Sequence, residues 1–259
     1  MSRITRWCRV EFDGEACHGR LNNDRIEIHA GDMFNRPTFT GKVIDVDDAR
    51  WLPPVKPRQF LGLWNNFHER QQAEKTRIPE FPLYFVKLAD SLSAHRCDIR
   101  RPLDLNGDVK FEAELGIVIG RESHRLQAQE VDAAIFGYTC VNDVTAPQVL
   151  FGNPEFPQWC RAKSYSGFGP VGPVVACGVE PDALRIRGIL DGEVKQDYPV
   201  SDMIFSPREI VRLISQEITL YPGDLIACGT SVGAASMQPG QVIEVEIPGI
   251  STLSNRLSI

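Results

Sequence analysis

The chain has 259 residues, 42% of them hydrophobic and 24% charged, with 28 basic against 34 acidic side chains for a net charge of −6. That length can bury a large core in one or two domains. The acidic balance speaks against nucleic acid as a partner, and no run of about 18 apolar residues is present to span a membrane. The first residues, Met1 to Trp7, lack the apolar centre of a signal peptide, so the cytoplasm is the expected location. The seven cysteines are odd in number and show no Cys-x-x-Cys spacing. In a reducing compartment they read as free, mostly buried thiols.

In chain order, residues 1–57 read as a small β subdomain followed by a linker. Val10–Glu15 and Arg25–His29 are strand candidates beside turn-rich segments, and Pro53, Pro54 and Pro57 interrupt regular structure. Residues 58–259 read as strands joined by long irregular loops. Leu83–Val86, Leu115–Ile119, Phe136–Val141 and Leu225–Cys228 are apolar strand candidates, and Val242–Ile247 alternates with period two. One helix is well signalled: Ser206 as N-cap, Pro207 in the first turn and Glu209 three residues on form a capping box before Ile210, Leu213 and Ile214. The fold class is therefore α+β and β-rich.

Chemistry concentrates in Lys110-Phe111-Glu112-Ala113-Glu114. Two carboxylates two residues apart on a strand point to the same side, and like charges at the mouth of a buried strand need compensation. Asp143 follows another strand at its exit, where loops build sites. Three carboxylates would make an all-oxygen set suited to Mg²⁺ or Mn²⁺.

The ordered motifs resemble the fumarylacetoacetate hydrolase superfamily. They are Glu112-x-Glu114, Gly137–Asp143, Ala162-Lys163-Ser164, Gly172-Pro173, Tyr221–Asp224, Gly229–Gly233 and Pro248-Gly249-Ile250. The resemblance covers roughly residues 58–257. It implies a mixed β-roll or barrel with a small N-terminal β subdomain, a homodimer, and Mg²⁺ or Mn²⁺ held by Glu112, Glu114 and Asp143. It further implies a small 2-oxo acid as substrate. His68 and Lys163 would be the catalytic pair, and Lys87 and Thr230 would lie near the substrate.

Three positions depart from the family pattern. Gln71 stands where a glutamate would pair with His68, and Glu69 or Glu74 are the nearest substitutes. Thr145–Gln148 follow Asp143 where arginine is common, and Arg161 is the candidate replacement. Ser166 stands where many members carry aspartate. The leading expectation is hydrolysis of a C–C bond in an acylpyruvate-like acid. The alternative is decarboxylation or enol–keto isomerisation of a 2-oxo diacid of the oxaloacetate or 2-hydroxyhepta-2,4-diene-1,7-dioate type. A non-catalytic homologue is the remaining reading.

Overall fold

The computed structural model describes residues 4–259. Its largest sheet runs, strand beside strand, through Thr38–Asp45, Arg25–Ala30, Glu15–Asn22, Thr5–Phe12, Gly169–Cys177, Ile135–Asn142, Ala113–Ile119, Leu225–Ala227, Phe60–Trp64 and Leu83–Lys87. A five-stranded sheet stands beside it, in the order Glu193–Pro199, Arg185–Leu190, Val242–Ile247, Ser251–Ser258 and Asp98–Arg100. Both sheets are mixed: Leu225–Ala227 runs parallel to Phe60–Trp64, and Ser251–Ser258 parallel to Asp98–Arg100, amid antiparallel neighbours. The sheets are open and do not close into a barrel, and the β-rich α+β expectation holds.

The N-terminal meander differs from its reading in the sequence. The segment Val10–Glu15 is not one strand, because Asp13 and Gly14 both take positive φ and turn the chain between Thr5–Phe12 and Glu15–Asn22. An Asp-Gly pair between apolar runs is the usual signal for this two-residue hairpin. The first strand then pairs with Gly169–Cys177, which extends the main sheet through the meander. All seven cysteines are free. Only Cys8, Cys140 and Cys228 are buried, while Cys97 and Cys160 are exposed.

Ala113–Ile119 is buried at every residue, as a strand covered on both faces must be. Its side chains Leu115, Ile117 and Ile119 join the main core with Ile226, Val174 and Ile210. The helix Pro207–Ile214 forms where the capping box places it: Ser206 Oγ accepts from the Glu209 N–H, and the Glu209 carboxylate accepts from the Ser206 N–H. It buries Ile210, Val211 and Ile214 against that core. Among the described residues, no helix is long and apolar enough to cross a membrane.

Candidate active site

Strand register brings the carboxylates together. Ala113 lies opposite Asn142 in the antiparallel pair, so Glu112, one residue before, meets Asp143, one residue after. The Asp143 N–H donates to the Glu112 carbonyl at 2.9 Å, and the Glu112 N–H donates to Asn142 Oδ1 at 3.1 Å. Two residues along, Glu114 points the same way. One oxygen from each of Glu112, Glu114 and Asp143 lies within 4.8 Å of the other two. Glu112 and Glu114 line a cavity of about 300 Å³ whose walls include Leu63, Trp64, Phe85, Trp159 and Thr230, and the fully buried Asp143 stands beside them.

Two ammonium groups compensate the triad, Lys163 from the cavity wall and Lys87 from the core side. Lys163, 3% exposed at the end of the helix Trp159–Lys163, donates to Glu112 Oε2 and Asp143 Oδ2. Burial opposes its charge, but Asp143, Glu112 and Glu114 outweigh it and hold the ammonium above its ordinary pKa. Lys87, 1% exposed, donates to Asp143 Oδ1 at 2.6 Å and to the carbonyls of Lys163 and Phe168. Burial pulls its pKa down, against the pull of Asp143. Lys87 does not line the cavity; it fixes Asp143 from the core side.

The carboxylates are served unequally. Burial pushes Glu112 up, but the Lys163 ammonium and the Arg70 guanidinium hold it down at about 2. The Thr145 hydroxyl adds a hydrogen bond to Glu112 Oε2 at 3.1 Å. Glu114, 1% exposed, accepts only from the Gly229 N–H at 2.8 Å. Burial and the neighbouring Asp143 and Glu112 push its pKa well above the carboxylate range. Gly229 can aim its N–H this way because it sits at φ +86°, with the Leu63 carbonyl 3.2 Å from where a Cβ would be. A buried, crowded set of hard oxygen donors with one member short of positive partners fits a divalent cation.

Thr230 lines the cavity, but its hydroxyl is engaged: it donates to the Ala113 carbonyl at 3.0 Å and accepts from Gln196 Nε2 at 2.8 Å. Gln196 also accepts from the Ala113 N–H at 3.0 Å. This buried amide, reaching over from the second sheet, holds both the Glu112–Glu114 segment and the Gly229–Ser231 loop. Nothing local in the sequence marks it.

The lid is the helix His68–Glu74, which buries none of its residues. His68, its first residue, is half-buried and is not among the cavity-lining residues; Arg70 and Glu74 are. Positions 68 and 70 are roughly 200° apart around a helix, whereas 70 and 74 share a face. Arg70 Nε donates to Glu74 Oε1 at 2.9 Å, and its terminal nitrogen reaches Glu112 Oε1 at 3.3 Å. Gln71 donates to the Thr76 carbonyl and closes the end of the lid. Arg161 is exposed and borders a separate surface hollow with Asn106, Gln148 and Tyr165. The structure thus gathers Glu112, Glu114, Asp143, Lys163, Lys87 and Thr230, and leaves His68 and Arg161 outside. Arg70 went unnoticed in the sequence, and Glu74 stood there only as one substitute for the missing glutamate; their spacing of four on the lid was the signal that joins them.

The family model for the fumarylacetoacetate (FAA) hydrolase C-terminal region matches residues 59–258. The chain belongs to this family. A second model, for the N-terminal region of proteins like Rv2993c, matches residues 5–54. Among relatives of this family, the oxaloacetate tautomerase YisK of Bacillus subtilis is 31% identical over 216 residues, 79% of this chain and 71% of that one. The 2-hydroxyhepta-2,4-diene-1,7-dioate isomerase of Mycobacterium marinum superposes with a TM-score of 0.89 at 31% identity, covering 98% of each chain. The fumarylacetoacetate hydrolase of Exiguobacterium antarcticum superposes with a TM-score of 0.85 at 26% identity, covering 98% of this chain and 99% of that one. As a member of this family the chain is an enzyme.

Proposed function

We propose that the protein is an enol–keto isomerase of a 2-oxo acid, dependent on Mg²⁺ or Mn²⁺. The observation that carries this reading is the lid. The side chain it extends to the carboxylates is Arg70, permanently charged and unable to take a proton from water. Hydrolysis in the family's manner would use a histidine–carboxylate pair to activate water, and His68 with Gln71 supplies none; Glu74, the carboxylate that the lid adds to the cavity, is a single proton carrier, which is what isomerisation uses. Isomerisation needs only a stabilised negative charge and a group that moves a proton. The isomerase and tautomerase names among the relatives agree with this choice.

Glu112, Glu114 and Asp143 would hold the cation, which when bound polarises a 2-oxo acid and stabilises the charge that develops as a C–H proton leaves. Lys163 stays protonated and orients Glu112 and Asp143 while offering the cavity a positive field. Lys87 holds Asp143 from the other side. Glu74 is the cavity-lining carboxylate outside the triad, with its side chain 42% exposed, so it can take a proton from carbon and exchange it with water. Trp64, Phe85 and Trp159 supply apolar wall to the same cavity. Phe85 is seated there because Gly62 leaves room for its ring, whose nearest atom is 2.4 Å from where a Cβ would lie.

Enolic oxaloacetate in the presence of Mg²⁺, followed by loss of enol absorbance, tests this reading. The protein is expected to speed ketonisation, and Glu74→Gln to slow it by about 10²-fold or more. CO₂ and, from acetylpyruvate, acetate are measured in parallel. Acetate release without any effect on the enol would restore the hydrolase reading and overturn this one.

A further inference from the structure

Lys110 is the cavity-lining cation that the reading above leaves without a task. Its backbone is pinned on both sides. The Lys110 N–H donates to the Thr145 carbonyl at 2.9 Å, the Thr145 N–H donates back at 3.0 Å, and Ser236 pairs with it from the short strand Ser236–Met237. Phe111, the next residue, is fully buried. The Lys110 stem therefore leaves the wall from a fixed point, two residues before Glu112. Among the described residues, no carboxylate lies within 4.0 Å of its ammonium. The other cations lining the cavity are taken: Arg70 by Glu74 and Glu112, and Lys163 by Glu112 and Asp143.

Charge accounting gives this free ammonium a meaning. With the triad fully ionised, as a bound cation requires, Glu74, Glu112, Glu114 and Asp143 face three partnered cations, Arg70, Lys87 and Lys163, which leaves one negative charge before the cation is counted. A divalent cation on the triad turns that into one positive charge, and the carboxylate of a 2-oxo acid closes it. Lys110 then stands as a positive charge with no counterpart, at the wall of a partly enclosed cavity. Low-dielectric walls make such a charge attract an anion strongly.

We propose that Lys110 binds a second carboxylate on the substrate, at the end remote from the 2-oxo acid, and so selects diacids over monoacids. This rests on the 2-oxo acid reading of the site, and the experiment separates the two. Manganese-loaded protein is titrated calorimetrically with oxalate, pyruvate, 2-oxoglutarate and 2-oxoadipate, in wild type and in Lys110→Met, Lys110→Gln and Lys110→Arg, each checked for an unchanged melting temperature. In wild type 2-oxoglutarate or 2-oxoadipate, which carry a carboxylate remote from the 2-oxo acid end as oxalate does not, should bind about tenfold or more tighter than pyruvate, as a charge-assisted pair implies. Lys110→Met and Lys110→Gln should erase that preference, and Lys110→Arg should keep most of it. A diacid preference that survives both neutral variants, or none in wild type, overturns the role of Lys110 while pyruvate binding still supports the 2-oxo acid site. Manganese binding with no affinity for oxalate or pyruvate overturns both.

Discussion

Of the three carboxylates, Glu114 has the least support. Lys163 and Arg70 compensate Glu112, and Lys163 and Lys87 compensate Asp143, whereas Glu114 has one backbone N–H. Its ionised form is unfavourable in the bare site and becomes favourable once a cation arrives, so stability and metal binding should trade at this residue. Saturating Mn²⁺ or Mg²⁺ at about a hundredfold over Kd should add about 2.7 kcal/mol. At about 2–4 °C per kcal/mol for a chain of this size, Tm should rise by about 5–10 °C. Glu114→Gln keeps the acceptor for Gly229 and removes a like charge. It should melt at or above the wild-type temperature without metal, and show little or no shift with it. Scanning calorimetry after chelation, with and without added cation, reads both effects; a variant that still responds fully to metal would remove Glu114 from the ligand set.

The lid shows which features the sequence displayed and which it hid. The Glu112–Glu114 pair was legible because strand alternation is a local rule; Asp143 joined it through the family resemblance, and the pairing of Ala113–Ile119 with Ile135–Asn142 is what brings the three carboxylates together. Helix phase was not legible. The lid starts at His68, so the positions that line the cavity are 70 and 74, and the histidine singled out by its context is not among them. Gln196 was hidden for a different reason: its hydrogen bond to Ala113 joins residues 83 apart from two sheets, which no local pattern records. Gln71 tests this account of the lid. Its amide donates to the Thr76 carbonyl, and Asn65 and Thr76 bond across the same loop at 2.8 Å. Gln71→Glu would place an acceptor against that carbonyl, costing about 1–3 kcal/mol locally. The variant should not gain acetate release from acetylpyruvate, and the lid amides should exchange faster by mass spectrometry. Appearance of C–C hydrolysis would show that the glutamate can reach the cavity.

At the scale of the molecule, one histidine ties three regions together. His95 lies beyond the lid and stacks edge-on against Trp51, ring centres 5.4 Å apart; Trp51 belongs to Arg50–Leu52, which pairs with the first strand of the meander. Its Nδ1 accepts the backbone N–H of Ser254 at 3.0 Å, in the second sheet. The contact requires the neutral ring, since a protonated imidazole would turn a donor toward a donor. Burial, with a lesser push from Arg96, lowers the His95 pKa from 6.5 to about 4. Between those values the unfolded chain binds a proton that the folded chain refuses, so stability is full above about pH 6.5 and declines as pH falls toward 4. The shift would be worth about 3 kcal/mol for a fully buried ring, and about 2 kcal/mol is expected here because the ring keeps some contact with water. His95→Gln retains an acceptor for Ser254 and cannot titrate, so its stability should fall less steeply over the same range. Urea unfolding at pH 7.5, 6 and 5, done on both proteins, measures the difference in slope. Equal slopes would mean that His95 is protonated in the folded state and that the contact with Ser254 breaks before the chain unfolds.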